Sequence, residues 1–180
     1  DMSPWDNKFI VYSNSSPNTQ GNWLRFEAGA DNPSSSSMVA DAWYQKLWNL
    51  DEVANSVVDA TKTARKTPSD PCPAGWRVPT MAEWVTIGAD DSSTGKSWSG
   101  STHIMTVNAA ITPNLLLPAA GFRLHSDGSS GSQGSNGYFW SSSVPSGSTG
   151  ARNVYFRSAT LYQSTNFRAS GFSVRCLQEY

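Results

Sequence analysis

Apolar and polar residues alternate most clearly near the end of the chain. Val154 and Phe156 alternate with Tyr155 and Arg157, and Phe172, Val174 and Cys176 alternate with Ser173 and Arg175. A period of two marks a half-buried strand, because successive side chains leave opposite faces. Two such strands are expected here, with Tyr155 and Arg157 facing outward. Gly137 to Ser142 reads as a further strand, and 103–112 and 115–124 as strands interrupted by Pro113 and Pro118. Near the start, Phe9–Tyr12 and Trp23–Phe26 suggest two short strands, the second alternating. Met38, Ala42, Trp43, Leu47 and Leu50 fall near helical spacing, blurred at the end by Asn49 and Asp51.

One helix start is sharply marked. Pro71, Pro73 and Pro79 prevent a helix before Thr80. Thr80 with Glu83 three residues on makes a capping box, each side chain meeting the other's backbone N–H. Met81, Trp84, Val85 and Ile87 then supply an apolar face that stops at Gly88. The cap accounts for Glu83 without a catalytic role. Residues 59–70 read as an exposed connection, 89–102 as a polar loop, and 126–150 as Ser/Gly-rich loop broken by the strand at Gly137. The fold class is α+β, with one or two helices and several short strands.

At 180 residues, the chain is expected to form a single domain, 1–180, with a substantial core. Its 8 Trp, 6 Tyr and 7 Phe, against 15% charged residues, indicate a globular protein rather than a disordered one. The net charge of −1, without a basic cluster, argues against a nucleic-acid partner. No apolar run has membrane-spanning length, so no membrane insertion by this segment is expected. Cys72 and Cys176 lie too far apart for a zinc set or a redox pair. They are either two buried thiols or one disulfide, and a disulfide would imply life outside the cytoplasm. His103 and His125 have no ligand spacing, and no serine occupies a Gly-x-Ser-x-Gly elbow. Enzyme chemistry, a metal and a cofactor are therefore not expected.

The run from Tyr155 to Ser170 mixes Tyr, Arg, Thr, Ser, Phe and Ala, with no Lys, Glu, Asp, Met or Trp. Adaptable recognition surfaces use this composition: rings give area at low entropy cost, and hydroxyls give flexible hydrogen bonding.

Four motifs in order, DPCPAGWRVPT at 70–80, LLLPAAGFR at 115–123, GYFWSSS at 137–143 and GFSVRC at 171–176, carry a family likeness. Over roughly residues 68–180 the chain resembles the Fibrobacter succinogenes major paralogous domain family, with an insertion expected near 28–58. The resemblance implies a C-type lectin-like fold: a helix or two, a twisted antiparallel sheet, and terminal strands close together. A Cys72–Cys176 bridge would suit that fold. The calcium-dependent sugar motifs of C-type lectins are missing, since Trp48-Asn49 is followed by Leu50, and so is the reactive cysteine pair of formylglycine-generating enzymes.

The tail is similar to the variable proteins of diversity-generating retroelements in Bacteroides and their phages. There, adenine-directed errors rewrite the end of the gene. This likeness implies ligand-binding, variable positions at Tyr155, Arg157, Thr160, Tyr162, Ser164, Thr165, Phe167, Ala169 and Ser170, with Gln163 and Arg168 invariant. The expected anchors Tyr155, Arg157, Tyr162 and Phe167 would share one exposed face. The implied partner is a protein or glycan receptor on another cell, and the implied location is extracellular, on a cell surface or a phage virion. The rival expectations are an undiversified structural or adhesive domain of the same family and, third, an enzyme of the sulfatase-modifying type.

Overall fold

The computed structural model describes residues 70–109, 112–143, 150–168 and 170–179, with Trp48, Lys66 and Thr67. The strands read at 9–12 and 23–26, the insertion near 28–58 and, save Trp48, the helix read at 38–50 lie outside the described residues. In chain order the described elements are β1 (Trp76–Arg77), α1 (Met81–Ile87), β2 (Lys96–Ser99), β3 (Ile104–Ala109), β4 (Thr112–Pro118) and β5 (Phe122–Arg123). They continue with β6 (Ser130–Gly131), β7 (Asn136–Trp140), β8 (Gly150–Arg157), β9 (Thr160–Phe167) and β10 (Leu177–Gln178). The fold is α+β.

Helix α1 starts where its sequence dictates. Glu83 N–H donates to the Thr80 hydroxyl at 3.2 Å, and Thr80 N–H donates back to the Glu83 carboxylate at 2.8 Å. Gly88, at φ 131°, closes the helix by donating to Trp84 and Val85 carbonyls. The buried face is Met81, Trp84 and Ile87.

Two antiparallel three-stranded sheets, β2-β3-β4 and β7-β8-β9, share one core with α1. Met105, Val107 and Leu117 come from the first sheet, and Phe139, Val154, Phe156 and Leu161 from the second. Trp84 packs on Phe139 with ring centroids 6.0 Å apart, and Trp98 packs on Phe156 at 5.6 Å. The short pairs β1-β10 and β5-β6 lie outside these sheets.

Three readings change. Strand β2 lies inside the expected polar loop, because its serines and Lys96 hide a strand that pairs along β3. Pro113 does not interrupt its strand: β4 is an edge strand whose register with β3 shifts between Val107 and Ala109, opposite this point, and edges and bulges are where strands admit proline. Most consequentially, 160–167 is a full strand, while 171–176 forms only isolated bridges, Arg123 to Gly171 and Phe139 to Ser173. Apart from Leu161, β9 shows little apolar patterning; its order comes from pairing with β8 over its whole length.

Cys72 and Cys176 form a disulfide, with Cα atoms 5.8 Å apart. The proline-rich segment around Cys72 is held by polar groups. Asp70, with its side chain fully buried, accepts N–H bonds from Cys72 at 2.8 Å and Val78 at 2.9 Å. Lys66 Nζ donates to Asp70 at 3.2 Å, to the carbonyls of Pro73 and Trp76 at 3.2 and 2.7 Å, and to that of Cys72. Lys66 therefore pins this segment, although it lies in the stretch expected as an exposed connection.

Arg77 grips Glu83 with both terminal nitrogens and lies 3.9 Å from Glu179. Burial pushes the Glu83 carboxyl up, but hydrogen bonds from Arg77 and the Thr80 N–H outweigh it, leaving it below the ordinary value. Asp90, mostly exposed, is lowered to about 2, chiefly by its hydrogen bond from Lys96. Carboxyls depressed in the folded state contribute stability above their unfolded values, about 4, and lose it as pH falls. The urea midpoint should hold near neutrality and drop as pH falls from about 5 toward 2. Glu83→Gln, which keeps a cap acceptor but cannot titrate, should flatten that drop. An identical pH profile in the variant would remove Glu83 from this account.

Candidate functional site

Strand pairing in the second sheet puts tyrosines side by side. Tyr138 of β7 lies opposite Tyr155 of β8, which lies opposite Tyr162 of β9. Directly paired residues project from the same face with Cβ atoms about 5 Å apart, so rings in register stack. The Tyr138 and Tyr155 centroids are 5.6 Å apart at 15°, and those of Tyr155 and Tyr162 are 5.0 Å apart at 21°. Core residues Phe139, Val154, Phe156 and Leu161 point the other way, into the buried cluster.

Rows on either side complete the face. One row is Asn136, Arg157 and Thr160; the other is Trp140, Asn153 and Ser164. The second row is closed at its inner end: Trp140 and Asn153 are buried, and Phe172 stacks on Trp140 at 4.3 Å. The first row is more open, with Arg157 exposed and Asn136 and Thr160 half-buried. Because the tyrosine rings face one another, the ladder offers mainly ring edges and hydroxyls. Phenols, a guanidinium, an amide and small hydroxyls together make a surface suited to hydrogen bonding.

Beside the ladder is a cleft of about 260 Å³ lined by residues including Phe122, Arg123, Gln133 and Phe172. Phe122 meets Tyr138 edge-on at 5.2 Å, and Phe172 lies 5.0 Å from it, so cleft and ladder share walls. Gly121, at φ 73°, makes the cleft's floor possible. A Cβ there would sit 2.2 Å from the Gly131 carbonyl oxygen.

Of the residues expected to bind, Tyr155, Arg157, Thr160, Tyr162 and Ser164 share this face by register. Thr165 and Phe167 have the opposite parity. Phe167 is 43% exposed and lies against His125, ring centroids 4.1 Å apart, so it does not join the other three expected anchors. The reason is that β9 is a regular strand, and a period of two divides its side chains. Ser170 is buried at 9% exposure and donates its N–H to Phe167 O, which differs from the exposure expected of it. Ala169 lies outside the described residues. Arg168, expected to be invariant, donates from Nε to Gly150 O at 2.9 Å.

The sequence reading missed Tyr138, Asn136 and Phe122. Alternation with Phe139 could have turned Tyr138 outward, but its pairing with Tyr155 depends on register, which no local pattern carries. His103 is engaged at Nδ1 with Gly134 O, 2.7 Å away. Among the described residues, no group of three His, Cys, Asp or Glu converges to hold a metal, and no helix is long and apolar enough to cross a membrane.

The family model for the Fibrobacter succinogenes major domain matches residues 7–178, and the chain belongs to that family. The match starts well before residue 68, the approximate start of the resemblance carried by the motifs. No curated protein and no solved structure matches the chain.

Proposed function

We propose that this member of the Fibrobacter succinogenes major domain family is a ligand-binding display domain, without a reaction of its own. Its recognition surface is the outer face of β7, β8 and β9, on a C-type lectin-like scaffold. The observation that carries the reading is the row Tyr138–Tyr155–Tyr162 with Arg157 and Thr160 alongside. Tyrosine and arginine dominate binding hot spots, because they combine apolar area with directed hydrogen bonds. The tail composition fits retroelement diversification, and Tyr155, Arg157, Thr160, Tyr162 and Ser164 are the positions it would vary on this face. The ligand is a protein or glycan on another cell, and the domain is carried outside the cytoplasm by a bacterial surface structure or a phage tail. The Cys72–Cys176 bond fits that location.

The test applies the labelled 180-residue chain to a glycan array and to intact Bacteroides cells. Wild type should bind a subset, and the triple variant Tyr155→Ser, Arg157→Ala, Tyr162→Ser should lose about 30-fold or more, the level of a hot-spot loss. Leu116→Ser, at an exposed position of the other sheet, should keep binding. Equal binding by the triple variant refutes the reading. The half-burial of Tyr155 and Tyr162 favours a second reading, a purely structural face. In that case the triple variant loses its cooperative melt, and any loss of binding follows from unfolding. Diversification is tested separately, by sequencing the flanking DNA for a near-identical template repeat and a reverse transcriptase gene.

A further inference from the structure

Strand β9 is the outer strand of its sheet, so the N–H and C=O groups on its far side meet no further strand. Asp91, in the loop after α1, takes that place along the first half of the strand. Its backbone N–H donates to Leu161 O at 3.2 Å, and its carboxylate accepts the N–H of Gln163 at 2.9 Å, across 72 positions of sequence. One residue thus supplies the donor and the acceptor that a neighbouring strand would.

Asp91 reaches both groups from a left-handed backbone, φ 58°, which Asp tolerates better than most residues. Its neighbour anchors the loop from the other side. Asp90 accepts from Lys96 Nζ at 2.7 Å and from Ser92 N–H and hydroxyl at 3.2 and 3.0 Å. The Lys96 side chain is almost wholly buried, so this anchor is tied into the body of the domain. The adjacent acids Asp90 and Asp91 therefore have separate tasks: one holds the loop and the other holds the strand.

Both contacts to β9 go to its backbone; neither uses a β9 side chain. We propose that Asp91 is a positioning residue for the recognition face: a clip that fixes β9 whatever side chains the strand carries. Thr160, Tyr162 and Ser164 could then be exchanged while the strand stays in register with β8. The same contact occupies the first half of an edge that would otherwise be open to pairing with a second copy. The purpose of the clip rests on the display reading, while its existence rests on the geometry alone.

Amide hydrogen exchange on the full chain, followed by NMR without any ligand, separates the two. Asp91→Ala should speed exchange of the Gln163 amide about tenfold or more, the factor worth about 1.4 kcal/mol of lost protection, while the Phe156 amide changes little. Asp91→Gly suits the left-handed backbone, so it folds without strain, and should lose the same protection. Asp91→Asn keeps a side-chain carbonyl and should restore most of it. Gln163→Ala, and the pair Thr160→Asn with Ser164→Asn, should leave the Gln163 amide within about threefold of wild type, well short of that tenfold loss. Full protection in Asp91→Gly overturns the clip. A tenfold loss in Gln163→Ala or in the paired variant overturns its indifference to side chains. A failure of the display reading would appear only in the binding assay.

Discussion

Serine at both Cys72 and Cys176 is expected to lower unfolding stability by about 4–5 kcal/mol, the chain-entropy value for opening a loop of this size. The cysteines are 104 positions apart, so the bond closes most of the described chain into one loop. What it holds is otherwise thinly attached. Strand β10 pairs with β1 over only two residues, and 171–176 adds two isolated bridges, to Arg123 and Phe139, and the packing of Phe172 on Trp140 and Tyr138. Loosening this segment also loosens Phe172, a wall of the cleft and the cover of Trp140. Urea melts of the double variant and of reduced wild type should coincide, both well below oxidised wild type. A loss under about 1 kcal/mol would mean that the bond adds little to a tail already secured by packing, or that the unfolded chain is itself compact.

Phe156→Ala and Tyr162→Ser should separate scaffold from surface. They sit on adjacent, paired strands but point opposite ways. Phe156 is fully buried, its ring 5.6 Å from Trp98 and 6.5 Å from Phe139. Removing such a ring leaves a cavity and costs about 3–5 kcal/mol. Gly137 shows how closely the site is packed, since a Cβ there would lie 2.3 Å from the Phe156 ring. Tyr162 is half-buried, and its chief ring contact is the stack on Tyr155. A cross-strand aromatic pair is worth about 0.5–1.5 kcal/mol beyond the area it buries, so Tyr162→Ser, which also gives up a half-buried ring, should still cost less than Phe156→Ala. Denaturant melts with the disulfide intact measure both. If Tyr162→Ser proves the more damaging, the ladder is core, and the recognition reading falls with it.

The parts legible in the sequence are those whose causes lie within a few residues. Three prolines, the Thr80–Glu83 box and Gly88 determined α1 and both its ends, because a cap is made by neighbours along the chain. The alternation of Val154 and Phe156 with Tyr155 and Arg157 likewise determined which residues of β8 enter the core, since a strand's period is a property of its own backbone. The tertiary structure decided what depends on distant partners. Strand β9 has little apolar pattern and exists by pairing with β8, and that pairing set Tyr162 beside Tyr155 and Phe167 on the other side. The cysteine pair could be read two ways until the chain brought the Cα atoms to 5.8 Å. Lys66 and Asp91 fell in stretches read only as an exposed connection and a polar loop, because nothing adjacent in sequence shows a charged group the backbone N–H or C=O it will meet. Local patterning determined which side chains point out, and register between strands decided which of them meet.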